Sequence, residues 1–116
     1  MNAVETEPVA EVIVTTSKPE PTHQRKRQPR YAVVVLNDDE HSFDYVILAL
    51  ARIFGYSLER GNDLAQIIDT QGRAIVWTGA LEIAELKRDQ LRGFGPDVFA
   101  RHPVTFPLGV ELEPVD

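Results

Sequence analysis

The sequence predicts an α+β domain in the order β-α-α-β-α-β behind an irregular N-terminal tail, and three observations carry that reading. A β-branched run, Tyr31-Ala-Val-Val-Val-Leu36, follows a proline-rich segment. Apolar residues then recur at helical spacing in two successive stretches between residues 43 and 69. A second β-branched run at 73–78, a third helical pattern reaching Arg92 and a last short apolar stretch complete the order.

The tail comes first. Four of the eight prolines (Pro8, Pro19, Pro21 and Pro29) lie in the first 30 residues, where apolar content is small apart from Val9 to Val14. Such a segment buries too little surface to offset its chain entropy, so 1–30 is expected to be a disordered extension, with at most a transient strand at 12–14. Residues 31–116 are expected to form one domain, long enough for a single core.

Strand 31–36 reads as buried and ends at the turn formers Asn37-Asp38-Asp39. Ser42 is placed to N-cap a helix in which Phe43, Val46, Ile47, Leu50 and Phe54 share a face; Asp44 suits its positive end and Gly55 closes it. Ser57 caps a second helix, about 58–69, with a narrower stripe of Leu64, Ile67 and Ile68, ended by Gln71-Gly72. Arg73 to Thr78 is the second strand. Thr78 is expected to cap a third helix from Gly79 to about Arg92, with Ala80, Ile83, Ala84 and Leu91 facing inward. Gly93, Gly95 and Pro96 break it. An irregular stretch containing Pro103, Pro107 and Gly109 leads to a final strand at about 110–113.

Composition narrows the function. There is no cysteine, which excludes disulfides and thiolate chemistry, and His23, His41 and His102 are scattered without ligand spacing. No metal or other cofactor is expected. No run approaches the roughly 18–20 apolar residues of a membrane span. Residues 1–16 carry three acids and no base, unlike a secretory signal. The expectation is a soluble, cytoplasmic chain that engages no membrane.

The net charge of −6 is unevenly shared: about +1 over residues 1–30 and −7 over 31–116. An acidic domain argues against nucleic acid as a partner. The basic run Arg25-Lys26-Arg27 fits a solvated linker. No nucleophile elbow, glycine-rich phosphate loop or zinc-helix motif is present. A carboxylate pair such as Asp38 with Asp69 offers acid–base chemistry in principle, but no nucleophile or cofactor motif stands beside it, so no catalytic residue is assigned.

Asn37-Asp38-Asp39 allows two readings. It is a turn with a capping signal. Alternatively, an amide beside carboxylates on a short rigid turn suits a small cation with several N–H donors, such as a peptide α-ammonium.

Tyr31 to Asp39, the following helix with Phe43 and Val46, then Gln71-Gly72-Arg73-Ala74-Ile75 and Glu82-Ile83-Ala84-Glu85-Leu86-Lys87 together resemble the ClpS family. Its members are adaptors of the Clp ATP-dependent protease, and relatives occur as a domain of eukaryotic N-recognin ligases. The resemblance covers 31–92 well and 93–116 loosely. It implies a three-stranded antiparallel sheet packed on three helices, a fold shared with the ribosomal stalk protein's C-terminal domain, so the fold alone does not give function.

The resemblance implies two surfaces. One binds the N-terminal residue of a substrate, typically bulky and apolar (an N-degron). Asn37 and Asp38 would hold its α-amino group, and Phe43, Val46, Ala65 and Ile68 would line the pocket. Each of these four also fits a plain core position. The other surface, Glu82, Glu85 and Lys87, would dock the N-terminal domain of a Clp ATPase, although a solvated charged face explains these three equally well. The chain is expected to act as a monomer, its tail helping to hand substrate over.

Three positions depart from the family pattern. Asp69 stands where the family has a histidine that helps bind the α-amino group; its carboxylate attracts a cation and is expected to raise the pKa of itself or of Asp38 when no ligand is bound. His41 replaces a small hydroxyl residue and would partly neutralise the cluster. Ala65 replaces a larger rim residue and would widen the mouth. These departures keep open an alternative: a relative that docks on a Clp ATPase or another protein without reading N-termini. Either Val104 or Leu108 is a candidate for a further pocket-lining place.

Overall fold

The computed structural model describes residues 28–115. The tail expected over 1–30 therefore lies almost wholly outside the described residues. The elements are β1 (Arg30–Leu36), α1 (Phe43–Phe54), α2 (Leu58–Gln71), β2 (Arg73–Ala80), α3 (Leu81–Arg92) and β3 (Gly109–Pro114). The order β-α-α-β-α-β is as the sequence predicts. The sheet is antiparallel with β1 in the centre, flanked by β2 and β3.

Local chemistry sets the helix ends. Ser42 accepts from the backbone N–H of Tyr45 and Ser57 from that of Arg60, so both predicted caps are in place. Gly55 and Gly72 close the two helices in the left-handed conformation, at φ 74° and 87°. The third helix departs from expectation. It starts at Leu81, its N-cap is Ala80, and among the described residues no side chain caps it. Thr78 cannot cap because it belongs to the ladder: Thr78, Gly79 and Ala80 pair with Ala32, Tyr31 and Arg30. Strand pairing outweighs the local capping signal.

The helices cover one face of the sheet. α3 packs on all three strands, α2 on β2, and α1 on α2 and α3. Val33, Val35, Ala74, Val76 and Val110 from the sheet meet Tyr45, Val46, Ala49, Leu50, Ala65, Ile68, Ala84 and Leu91 from the helices. The α1 face is therefore turned from the predicted stripe, with Tyr45 and Ala49 inside and Phe43 40% exposed. Of the inward face predicted for the third helix, Ala84 and Leu91 are buried, while Ile83 is exposed and Ala80, also exposed, ends β2 instead. Where α1 and α2 cross, a Cβ on Gly61 would lie 3.2 Å from Ile47 Cγ2, so the bare backbone permits the close approach.

A bulge shapes β2. Val33 pairs with Trp77 and Val34 with Ile75, leaving Val76 as the extra residue. The Val76 carbonyl is satisfied by the Tyr56 hydroxyl at 2.7 Å. The other face of the sheet carries Ala32 and Val34, which are also buried. Arg73 and Glu113, on the two outer strands, form an ion pair that spans this face.

Candidate functional site

The strand β1 delivers Asn37 to the surface, and the backbone N–H of Asn37 still donates to Gly72 O at 3.0 Å, which ties the turn to the end of α2. Asn37 Nδ2 donates to Asp39 Oδ1 at 2.9 Å and the Asp39 N–H returns to Asn37 Oδ1 at 3.3 Å. Asp39 adopts a left-handed φ of 64°, a conformation Asp tolerates through such local bonds.

Asp38 faces the other way within the turn. Its Oδ1 accepts from the backbone N–H groups of Glu40 (2.8 Å) and His41 (2.9 Å), and Oδ2 meets His41 Nδ1 at 2.5 Å. Partial burial pushes the Asp38 pKa upward, but these N–H groups and the neighbouring imidazole outweigh it, so the carboxyl lies below its ordinary value. The crowding expected to raise a pKa does not do so at Asp38.

His41, whose side chain is only 2% exposed, is the hub of the turn. Its ring stacks on Tyr45 at 5.1 Å and takes the edge of Phe106 at 5.0 Å. Nε2 lies 3.0 Å from Phe106 O, a group that only accepts, and Nδ1 lies against Asp38 Oδ2 on the other side of the ring. Within the cluster, the partner of His41 is Asp38.

Between this turn and the two helices lies a cavity of about 240 Å³ lined by Asn37, Asp39, His41, Ser42, Phe43, Val46, Ala65, Ile68 and Asp69. Six residues singled out from the sequence come together here: Asn37 and Asp69 at polar positions, Phe43, Val46, Ala65 and Ile68 at apolar ones. Asp38 is not among the lining residues; its oxygens are turned to His41 and the turn backbone. Ala65 is buried and forms wall rather than rim. Asp39, His41 and Ser42 complete the lining. Val104 and Leu108 are both buried, and neither lines the cavity.

Sequence reasoning missed Asp97. This fully buried carboxylate accepts from the Ser42 N–H and hydroxyl and from the N–H groups of Phe99 and Ala100. An Asp three residues before an Ala in a breaker-rich stretch carries no signal of burial; only its distant partners reveal it.

The α3 residues are differently disposed. Glu82 and Glu85 are exposed, beside exposed Ile83 and Leu86. Lys87 is partly buried: Nζ donates to Ile53 O at 2.8 Å and lies 5.5 Å from the Phe54 ring centre, satisfying a carbonyl at the end of α1.

Residues 26–105 match the family model of the ATP-dependent Clp protease adaptor protein ClpS. The ATP-dependent Clp protease adapter protein ClpS of Nostoc sp. is 42% identical over 83 residues, covering 69% of this chain and 86% of that protein. The same-named protein of Xanthomonas campestris pv. campestris is 36% identical over 83 residues, covering 72% of this chain and 74% of its own. Among solved structures, Agrobacterium tumefaciens ClpS2 bound to L-phenylalaninamide superposes with a TM-score of 0.62 at 28% identity, covering 77% of this chain and 100% of that one. A three-stranded sheet on three helices, matched over most of the sequence to these proteins, places the chain in the ClpS family of ATP-dependent Clp protease adaptors.

Proposed function

We propose that this adaptor takes the first residue of a substrate chain into the cavity between the Asn37–Asp39 turn and α1 and α2, and carries that substrate to a Clp ATPase. The observation that supports it most is the division of the lining. Its apolar lining is Phe43, Val46, Ala65 and Ile68, and its polar lining includes an amide and two carboxylates (Asn37, Asp39 and Asp69) beside His41 and Ser42. A free chain start has this same division, with an α-ammonium beside a side chain.

The ammonium donates to Asn37 Oδ1 and the carboxylates of Asp39 and Asp69, while Asp38 supports the turn from behind and adds charge. Burying a Leu or Phe side chain contributes roughly 1.5–3 kcal/mol, which alone gives weak binding, so the charge-assisted contacts supply the rest. Binding and positioning are all that these residues do; the peptide bond is cut by the protease. Glu82 and Glu85, one helical turn apart on α3, form with Leu86 the ridge that docks the N-terminal domain of the ATPase, while Lys87 fixes α3 against α1.

Titration with peptides beginning with Phe, Leu, Tyr or Trp, each against its N-acetylated form, tests the reading. Free peptides bind and acetylated ones do not. Equal affinity for both forms, or none, ends the N-terminus claim. Recovery of the ATPase without any N-terminal preference selects the alternative of a docking relative.

A further inference from the structure

A second opening adjoins the first. It is a groove of about 510 Å³ between the outer sides of α1 and α2, lined by Asp44, Ile47, Leu48, Leu58, Glu59, Asn62 and Phe99. Two of its four apolar groups are exposed, Leu58 by 67% and Phe99 by 52%, and Ile47 and Leu48 are half-buried. These side chains are presented firmly. Asp97, fully buried, accepts the N–H groups of Phe99 and Ala100 and is itself rooted on Ser42, so the turn bearing Phe99 is fixed by hydrogen bonds at its base. A buried carboxylate thus fixes the backbone from which a half-exposed aromatic ring projects.

The two openings have no lining residue in common, but both are built on α1 and α2. Phe43 lines the cavity, and Asp44, next in the chain, lines the groove. Leu58, Asn62, Ala65 and Asp69 follow one another at helical spacing, so one stripe of α2 serves the groove at its start and the cavity at its end. From the middle of 58–62 to the middle of 65–69 is seven residues of helix, about 10 Å at 1.5 Å per residue. An extended chain covers that distance in roughly three residues.

We infer that the groove receives the apolar side chain at about the fourth position of the substrate, once its first residue sits in the cavity. This deepens the N-terminus reading and rests on it. Asp44 and Glu59, both in the lining, favour Lys or Arg next to that anchor and oppose Asp or Glu there.

Three probes test it by calorimetry: L-phenylalaninamide, Phe-Gly-Gly-Leu-Lys-Gly-amide and Phe-Gly-Gly-Gly-Lys-Gly-amide. The Leu peptide is expected to bind roughly five- to tenfold more tightly than the Gly peptide, through partial burial of one aliphatic side chain. Phe99→Ala and Leu58→Ser should each remove that advantage while leaving affinity for L-phenylalaninamide unchanged. Equal affinity of the two peptides, or an advantage that survives both substitutions, overturns the inference and leaves the N-terminus reading standing. Failure of all three probes to bind overturns that reading and this inference with it.

Discussion

The backbone N–H of Ser42 donates to Asp97 Oδ2 at 2.6 Å, and the Ser42 hydroxyl donates to Oδ1 at 3.2 Å, across 55 residues of chain. Ser42 Oγ also accepts from the Tyr45 N–H, so one residue caps α1 and anchors the 94–108 segment. The segment adds an antiparallel bridge of its own, Asp97 to Val104, with N–H to O distances of 2.8 and 3.0 Å. Asp97→Ala leaves four buried or half-buried donors without this acceptor and should destabilise the fold by about 3 kcal/mol or more. Asp97→Asn retains an acceptor oxygen and should cost about half as much. Urea unfolding measures both; equal costs for Ala and Asn would show that the hydrogen bonds contribute little.

What the sequence reveals of this molecule follows the range of the interactions. Val33 to Val35, the Ser42 and Ser57 caps and the Gly55 stop are set by neighbours a few residues away, and each is legible. Tyr45 is not, because its hydroxyl is accommodated by Gly95 O, fifty residues on, and its ring by His41 and Phe94. The same holds for Asp97. The apolar lining of the cavity is legible only through the family resemblance, since by spacing alone the same residues fit plain core positions. The division of labour between Asp38 and Asp39 was not, since both are turn formers and only the backbone conformation decides which carboxylate faces the cavity.

Gly79 is constrained by Trp77. A Cβ there would meet Trp77 Cη2 at 2.2 Å and Cζ2 at 2.7 Å, because the indole lies across the glycine. Gly79→Ala must therefore displace the ring from its packing against the core, at an expected cost of about 2 kcal/mol. Trp77 is the chain's one tryptophan, so its fluorescence reports the event directly. A shifted emission maximum with a lowered melting temperature is the expected result, and an unchanged spectrum counts against the packing argument.

Acid should loosen the turn. The Asp38 carboxyl is lowered in the folded chain, against the upward push of burial, by the His41 and Glu40 backbone N–H groups and the His41 ring. A lowered folded pKa means that its contribution is complete above the unfolded value of about 3.9, and is lost as pH falls through the folded value. Asp38→Asn removes the titration and retains the side chain's shape. The stability gap between the wild type and Asp38→Asn should close as pH falls below about 4. A gap that persists at low pH would assign it to shape instead of charge.

If the cavity takes the first residue of a substrate as proposed, Ala65 is expected to set the size it accepts. This side chain is buried in the cavity wall, opposite the helix that carries Phe43 and Val46, so whatever is added at Ala65 takes space from the ligand. Ala65→Leu introduces three carbon atoms there and leaves Asn37, Asp39 and Asp69 in place to hold an α-ammonium. Affinity for peptides beginning with Trp should fall by more than about tenfold, since overpacking by such a group costs 1–3 kcal/mol. Peptides beginning with Leu or Val should lose less, because a smaller side chain leaves room for the new one. The order of losses in a peptide titration is what matters: a uniform loss for every first residue would mean that the substitution disturbs the ammonium contacts, and that Ala65 does not set the size limit.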